Sequence, residues 1–440
     1  MSQLPLSQLP SPPPALPHFT AFADLAAHHQ ARLQSAAPAA TILGLIRPPD
    51  PTDLAAAIAA IRGAGHGILP CGGCTKIDWG GAVGQGQTIV ALSTQFLNQI
   101  VEHAVDDMTI TVEAGLPIAQ LQAHLAQQQQ FLSLDPRYVS AGATVGGVIA
   151  TADSGSLRHR YGGVRDILLG VQFVRSDGEL VKAGGRVVKN VAGYDLMKLM
   201  TGSYGTLGVI TQATFRTYPC QSHRQTLILT GEPDALATTI AALQRSLLTP
   251  LSVDWLSASA ITSSSIPAPM GVIVRFESVA ASVSDQCDRL TALAAQFQVQ
   301  VTPAPDPTAL WQAIDTIGEK TIGESSSDQP IIIGQLGIPS HRAAALLPTI
   351  AELIPTAIAI IHAGSGLGRF VVNTNVPPER ITELRQHCEA AGGFLSILVA
   401  PAAMKATIDP WGIRGNGVSL MQAVKREFDP TQRLNPGRMV

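Results

Sequence analysis

The sequence predicts an α+β fold in two parts, and three observations carry that expectation. From about residue 40 onward, short β-branched runs alternate with Ala-rich stretches of helical spacing, a pattern that builds sheets covered by helices. Between Ala141 and Thr217 glycines crowd among β-branched residues, the texture of backbone that turns sharply or lies against another group. Beyond Pro219 the glycines thin out and two comparable series of strands and helices follow, which fits an antiparallel α+β unit. A length of 440 residues suits two or three domains.

The elements are expected in the following order. Residues 1–37 contain a run of prolines, no Lys and a single Arg, Arg32, and read as a flexible leader without the basic start and apolar segment of a secretory signal. Asp53 to Ile61 is a helix, capped by Thr52 and ended by Gly63 and Gly65. Strands follow at Gly67 to Leu69, Thr88 to Leu92 and Thr109 to Val112, then a helix from Ile118 to Gln129. The second part reads as strand Thr226 to Leu229, helix Asp234 to Leu247, strands Leu251 to Leu256 and Val272 to Phe276, and helix Ser282 to Phe297. A similar series spans Ile331 to Val399 with a helix from Glu379 to Ala391, while Ser263 to Ser265 and Gly323 to Asp328 read as loops. A helix near Val418 to Phe428 precedes the turn signals Asp429-Pro430 and Asn435-Pro436-Gly437.

Composition excludes several classes. Lys+Arg 29 against Asp+Glu 32 leaves a net charge of -3, so nothing is in excess to neutralise a nucleic acid backbone. Only 14% of residues are charged and 46% are hydrophobic. The most apolar long stretch, Ala343 to Ile361, is nevertheless broken by Pro348, Glu352 and Pro355, and reads as helix, loop and strand, not as a membrane span. Five scattered cysteines form no disulfide framework and point to a reducing compartment.

Three segments can carry chemistry. Leu69-Pro70-Cys71-Gly72-Gly73-Cys74-Thr75-Lys76 follows a strand; its glycines can offer N–H groups to an anion, Thr75 a hydroxyl and Lys76 a charge. It lacks the spacing of a P-loop, and its Cys-x-x-Cys also permits a redox dithiol, half a zinc site, or a tight turn with buried thiols. The second segment is Asp135-Pro136, Ala141 to Thr151, and Gly155 to Gly163 with Arg158, Arg160 and Tyr161. Its small residues let main chain lie flat against a planar ring or a pyrophosphate. The third, Gly202 to Thr211, has glycine turns leading into a strand.

In this order the three segments resemble the FAD-binding domain of the p-cresol methylhydroxylase and vanillyl-alcohol oxidase family. The finer wording is similar to the FAD-binding subunits of glycolate oxidase: Val101-Glu102-His103, Asp107-Met108-Thr109, Val112-Glu113-Ala114-Gly115, Asn190 to Leu196, and Asn435-Pro436-Gly437-Arg438. The likeness covers most of 40–220 and the last twenty or so residues. It implies a two-subdomain FAD-binding domain over 38–220, a ferredoxin-like α+β cap over 221–403, and a segment 404–440 that returns to the FAD site. Carried over by position, Cys71, Gly72, Gly73, Cys74, Thr75 and Lys76 would hold the pyrophosphate. Asp135, Thr144, Val145, Gly146, Gly147, Ala150, Thr151, Gly155, Arg158, Tyr161 and Gly163 would follow the rest of the cofactor, with Gly208, Val209 and Ile210 on the adenine side. Asn435 and Arg438 would come back to the flavin. Simple glycine turns are the competing reading, and three clusters in one family's order weigh against it. FAD is expected to be non-covalent; the loop position where the family carries an attaching histidine is Cys74 here, which leaves cysteinyl attachment as the chemical alternative.

Related catalytic flavoproteins carry a His-x-Gly-Asp-Gly-Asn-x-His motif. The corresponding stretch, His362-Ala363-Gly364-Ser365-Gly366-Leu367-Gly368-Arg369, keeps the first histidine and the glycines only. One histidine does not hold a catalytic metal, so none is expected and His362 reads as structural. No catalytic residue is assigned; His362, Arg369 and Arg438 are the candidates, the arginines as carboxylate binders. The resemblance therefore implies an FAD-binding subunit acting on a small 2-hydroxy acid. It would join the oxidation of glycolate to glyoxylate beside a catalytic flavoprotein subunit and an iron–sulfur subunit, in the cytoplasm or at a membrane surface through that complex. An autonomous FAD-dependent 2-hydroxy-acid dehydrogenase, a non-catalytic flavin-fold interaction subunit and a NADPH-using reductase of the same fold are the alternatives, and nothing marks a nicotinamide site for the last.

Overall fold

A computed structural model describes residues 17–186, 194–263, 270–317, 331–373 and 376–439. The first sheet is formed by β1 (Phe19–Ala21), β2 (Thr41–Ile46), β3 (Gly67–Cys71) and β4 (Thr88–Ser93), in the order β1-β2-β4-β3. β2, β4 and β3 run parallel and β1 antiparallel. A parallel pair needs a crossover, supplied by the helix Pro51–Gly63. The Asp50 carboxylate caps that helix by accepting from the N–H groups of Thr52 and Asp53 at 2.8 and 2.9 Å, so the cap lies two residues before the expected Thr52. Leu54, Ile58 and Ile61 pack against Ile68, Val90 and Leu92 on one face of the sheet.

The other face, reached by the period-two alternation of the same strands, carries Leu45, Leu69, Ile89 and Ala91. It is covered by Leu25, Leu33, Ala36 and Ala37, from a 3-10 turn and the helix Ala27–Ala36. This corrects the reading of residues 1–37 as a flexible leader: residues 19–36 are a strand, a turn and a helix, and residues 1–16 lie outside the described ones. The helix is weak by its own pattern, and burial of its few apolar residues holds it in place.

A second, antiparallel sheet has the order β5-β6-β10-β8-β9, with β5 (Ile100–Ala104), β6 (Thr109–Glu113), β8 (Leu168–Val174), β9 (Leu180–Gly184) and β10 (Val209–Arg216). The short ribbon of β7 (Gln130–Phe131) and β11 (Tyr218–Pro219) flanks it. Helices Ile118–Ala126 and Val145–Thr151 pack on this sheet through Leu121, Leu125, Val148 and Ile149. The first of them ends three residues earlier than expected, with Gln129 at φ 54 in the turn. A helix at Val145–Thr151 and strands β5, β8 and β9 were not foreseen.

The third sheet has eight strands: β12 (His223–Thr230), β13 (Ser252–Ser257), β14 (Met270–Ser278), β15 (Gln300–Pro303), β16 (Ile331–Gly337), β17 (Ile358–His362), β18 (Leu367–Asn373) and β19 (Phe394–Val399). Their order, β15-β12-β14-β13-β17-β18-β16-β19, is two ferredoxin-like halves joined through the second strand of each. Helices Pro233–Arg245, Ala280–Ala295, Ala343–Leu353 and Pro378–Ala390 cover one face with Leu236, Leu290, Leu347 and Leu384. Helix Pro307–Asp315 and Ala260 cover the other. The fold is α+β, as the sequence predicts. Ser263 ends the helix Ala258–Ser263, whereas 264–265, Gly323 to Asp328 and Asn190 to Gly193 lie outside the described residues. No helix among the described residues is long and apolar enough to cross a membrane.

After the helix Gly417–Phe428 the chain returns to the first sheet. Ile68 donates its N–H to the carbonyl of Arg433 at 2.7 Å and accepts from that of Asn435 at 2.8 Å, so the tail pairs along the open edge of β3 and covers an otherwise unsatisfied strand.

Candidate functional site

A cavity opens where the end of β3, the helix Val145–Thr151 and the start of β10 meet the returning tail. Cys71, Gly72, Gly73, Cys74, Thr75 and Lys76 line one wall. Thr144, Gly146, Gly147, Ala150 and Thr151 line a second; Tyr204, Gly205, Gly208, Val209 and Ile210 a third; Asn435 and Arg438 close it.

The first wall is shaped by what its glycines lack. A Cβ on Gly72 would lie 2.3 Å from the Thr144 hydroxyl, and one on Gly73 2.3 Å from the Gly142 carbonyl. Cys74 then takes a left-handed φ of 55, and Arg32 donates to the Gly73 carbonyl at 2.9 Å from behind. The backbone N–H groups of Gly72, Gly73, Cys74 and Thr75 find no acceptor among the described residues. Four such donors in a loop form an anion cradle. Lys76 adds a positive charge, paired to Asp153 at 3.2 Å. Burial alone would raise Asp153, but Lys76 and Arg137 hold its carboxyl below the ordinary range. Arg137 also lies 4.6 Å from the centre of the Trp79 ring.

The second wall is a one-sided helix start. Thr144 caps it by accepting from the Gly147 N–H at 3.4 Å, and Gly146 comes within hydrogen-bond reach of Ala114, N to O 2.7 Å, where a Cβ would meet the Ala114 methyl at 2.9 Å. The third wall is held by Lys425, whose ammonium donates to the carbonyls of Thr206 and Leu434 at 2.8 Å each and pairs with Asp429 at 2.5 Å, all buried. Asn435 donates from Nδ2 to the Tyr204 carbonyl at 2.6 Å. Its Oδ1 is buried with no partner among the described residues, an acceptor that a ligand's donor would satisfy.

Several expected residues are placed elsewhere. Val145 turns its side chain into the core, and Asp135, Gly155, Arg158, Tyr161 and Gly163 lie outside the lining. Asp135 accepts from the N–H groups of Gly155 and Leu157 at 3.0 Å each, and burial pushes its carboxyl up to about 6. Tyr161 packs on Phe131 and Tyr218, and Arg158 on Gly163. Arg438 does not offer its guanidinium to a carboxylate. It donates to the carbonyls of Trp79 and Ile77 at 2.7 and 2.6 Å, and burial draws its pKa down to about 10. Arg369 is likewise committed, to the Ile314 carbonyl at 2.7 Å.

His362 sits at the end of β17, opposite Asp254 of β13 at the seam between the cap's two halves. Its Nδ1 lies 2.5 Å from the Asp254 carboxylate, which is fully buried. With the ring proton on Nδ1, toward that carboxylate, Nε2 is left as an acceptor. His159 packs against the neighbouring loop, where a Cβ on Gly364 would meet its ring at 2.2 Å; burial holds its imidazole below the ordinary range. Sequence reasoning missed Asp254, Asp153, His159 and Lys425. A lone acid within the apolar strand Leu251 to Leu256 was a usable signal for Asp254. Among the described residues no group of three or more His, Cys, Asp or Glu is placed to hold a metal.

Residues 42–184 match the family described as FAD binding domain. The chain is 25% identical over 411 residues to glycolate oxidase subunit GlcD of Bacillus subtilis (strain 168), covering 86% of this chain and 83% of that one. It is 27% identical to a mitochondrial D-lactate dehydrogenase [cytochrome] of Arabidopsis thaliana over 85% of this chain and 69% of that one. With glycolate oxidase subunit GlcE of Escherichia coli (strain K12) it shares 39% identity over 120 residues, 27% of this chain and 34% of that one. In fold it resembles the solved structure of p-cresol methylhydroxylase with substrate bound, at a TM-score of 0.67 and 14% identity over 92% and 90% of the two chains. The cavity, its glycine walls and the match over 42–184 lead to one statement of kind: residues 42–184 form an FAD binding domain, in a chain whose fold is like that of p-cresol methylhydroxylase.

Proposed function

We propose that this chain is the FAD-binding subunit of an assembly that oxidises a small 2-hydroxy acid, glycolate in the first instance, beside a catalytic flavoprotein subunit and an iron–sulfur subunit. The observation that carries the reading is the anion cradle at 72–75, with four unpaired N–H groups and Lys76 on one cavity wall. Gly72 to Lys76 would bind the pyrophosphate, Thr144 to Thr151 the adjoining part of the cofactor, and Asn435 Oδ1 would accept from it. FAD held there supplies the ring that takes up a hydride equivalent. Attachment would be non-covalent, a reading supported by Cys74 Sγ facing the Gly72 carbonyl at 3.7 Å. The names GlcD and GlcE support the glycolate assignment, and the replacement of Asp, Asn and the second His by Ser365, Leu367 and Arg369 supports a subunit that leaves chemistry to a partner.

A second reading is favoured by one observation, the Asp254–His362 pair. His362, oriented by a buried carboxylate, has the parts of a general base, and the chain would then oxidise its 2-hydroxy acid unaided. Anaerobic mixing of the purified yellow protein with glycolate separates the two. Flavin bleaching only when the partner subunits are added supports the subunit; bleaching of the isolated chain, lost about a hundredfold or more in Asp254→Asn, supports the second reading. A colourless protein that takes up no added FAD overturns both.

A further inference from the structure

His103 of β5 and His124 near the end of the helix Ile118–Ala126 meet at the edge of the second sheet, away from the cavity lining. His124 follows the buried Leu121 by three residues and adjoins the buried Leu125, so helical spacing puts it on the flank of the stripe that packs on the sheet. His103 Nδ1 lies 3.2 Å from His124 Nε2, with the ring planes tilted by 56° and their centres 5.2 Å apart. Both residues are half-buried. Neither takes part in the function proposed above.

The partners of this pair assign its protons. Gln130 donates from Nε2 to the Val105 carbonyl at 2.8 Å, which fixes the amide and leaves Oε1 as its acceptor. That oxygen accepts from Thr217 Oγ1 at 2.6 Å and faces His103 Nε2 at 3.3 Å. A ring nitrogen opposite an acceptor carries the proton, so Nδ1 of His103 is a bare lone pair turned toward His124. One proton, on His124 Nε2, then joins the two rings.

We propose that His103 Nδ1 and His124 Nε2 bind a divalent transition metal ion of the zinc and copper class, which fastens the edge strand β5 to the helix Ile118–Ala126. Metal–imidazole bonds of about 2.0–2.1 Å that close on nitrogens 3.2 Å apart subtend about 100°. That angle suits four-coordination. A ring whose other N–H is held by an amide oxygen is oriented as metal-binding histidines are. Two imidazole nitrogens select zinc, copper or nickel over magnesium or calcium, which take oxygen ligands. With two protein ligands, the remaining positions go to water at this half-buried surface. The ion takes the place of the shared proton, which moves to His124 Nδ1, so both rings stay neutral.

The test titrates the full chain with zinc chloride by calorimetry and follows thermal unfolding with and without the ion. One zinc should bind at this pair and raise the Tm of the unaltered chain but not of His124→Gln. His103→Gln and His124→Gln should each weaken binding at least about tenfold, and Gln130→Met about tenfold through loss of the orienting oxygen. The copper(II)-loaded chain should show two imidazole nitrogens in its electron paramagnetic resonance spectrum, and His124→Gln one. Zinc held as tightly by both histidine variants overturns the site, as does a chain that takes up no zinc at millimolar concentration. Zinc that binds here and leaves Tm unchanged overturns the fastening of β5. Unchanged affinity in Gln130→Met overturns the assignment of the His103 proton. Should His103→Gln fail to fold, the half-buried His124→Gln and the copper spectrum of the unaltered chain carry the decision.

Discussion

The FAD-binding part and the cap arrive at their functional groups by opposite means. In the first, separate loops are brought so close that a single Cβ at Gly72, Gly73 or Gly155 would collide with backbone or a capping side chain. In the cap, a repeated four-strand unit is laid edge to edge with itself, and the buried pair Asp254–His362 arises at the seam between the two. One region is specified by what side chains are missing, the other by which two side chains are opposed. A single substitution should therefore damage them differently.

The largest effect is expected at Lys425→Met, which leaves the Asp429 carboxylate buried without its partner. A loss of about 3–5 kcal/mol follows from such a broken pair, read by denaturant unfolding, and the FAD-binding part should melt ahead of the cap. Simultaneous loss of both would break the contrast and make the tail a keystone of the whole chain. Gly73→Val comes next: a Cβ 2.3 Å from the Gly142 carbonyl costs about 1–3 kcal/mol in strain and should abolish flavin retention while cap stability is kept. Lys405→Met tests the join between the regions, since Lys405 of the cap side donates to the carbonyls of Asp78 and Gly80 at 2.6 and 2.8 Å. About 1–2 kcal/mol should be lost, seen as earlier proteolysis between the two parts.

The smallest effect concerns pH. Asp135 titrates near 6 in the folded chain because burial disfavours its charge, above the ordinary 3.8. Folding therefore takes up a proton between those values, so this contribution is fully present below about pH 4 and is lost as pH rises through 6. Asp135→Asn should flatten the dependence of Tm on pH in that window, by no more than about 1.4 kcal/mol per pH unit. An unchanged slope would place the titration elsewhere.

The same contrast explains what could be read from the sequence. Glycine loops announce themselves, because a residue type that disfavours ordinary helix and strand must have a reason to cluster, and Cys71 to Lys76, Thr144, Gly146, Gly147, Ala150, Thr151 and Gly208 to Ile210 all face one cavity. The ferredoxin-like halves were legible as alternating periods. Pairings across the chain were not: Asp254 with His362, Lys76 with Asp153 and Arg32 with the Gly73 carbonyl join residues whose separation no local pattern encodes. The helix Ala27–Ala36 was hidden because its few buried residues stand among His and Gln. Val145–Thr151 was hidden because two glycines mask a helix that Thr144 caps and the β6 end supports. The Lys425–Asp429 pair, four apart on a helix end, is the one missed contact that spacing alone could have offered.

The return of the tail to β3 has a consequence for the order of events at birth. Asn435 and Arg438 leave a ribosome only after the whole cap, yet they bond to Ile68 and Trp79 and close the cavity that the end of β3 begins. The first sheet must wait, with one edge open and its loop unclasped, while the cap is synthesised and folds as its own unit. Late threading of so distant a segment makes folding slow, and it makes flavin uptake a report on translation: a product interrupted anywhere in the cap has most of the cradle and still cannot close it.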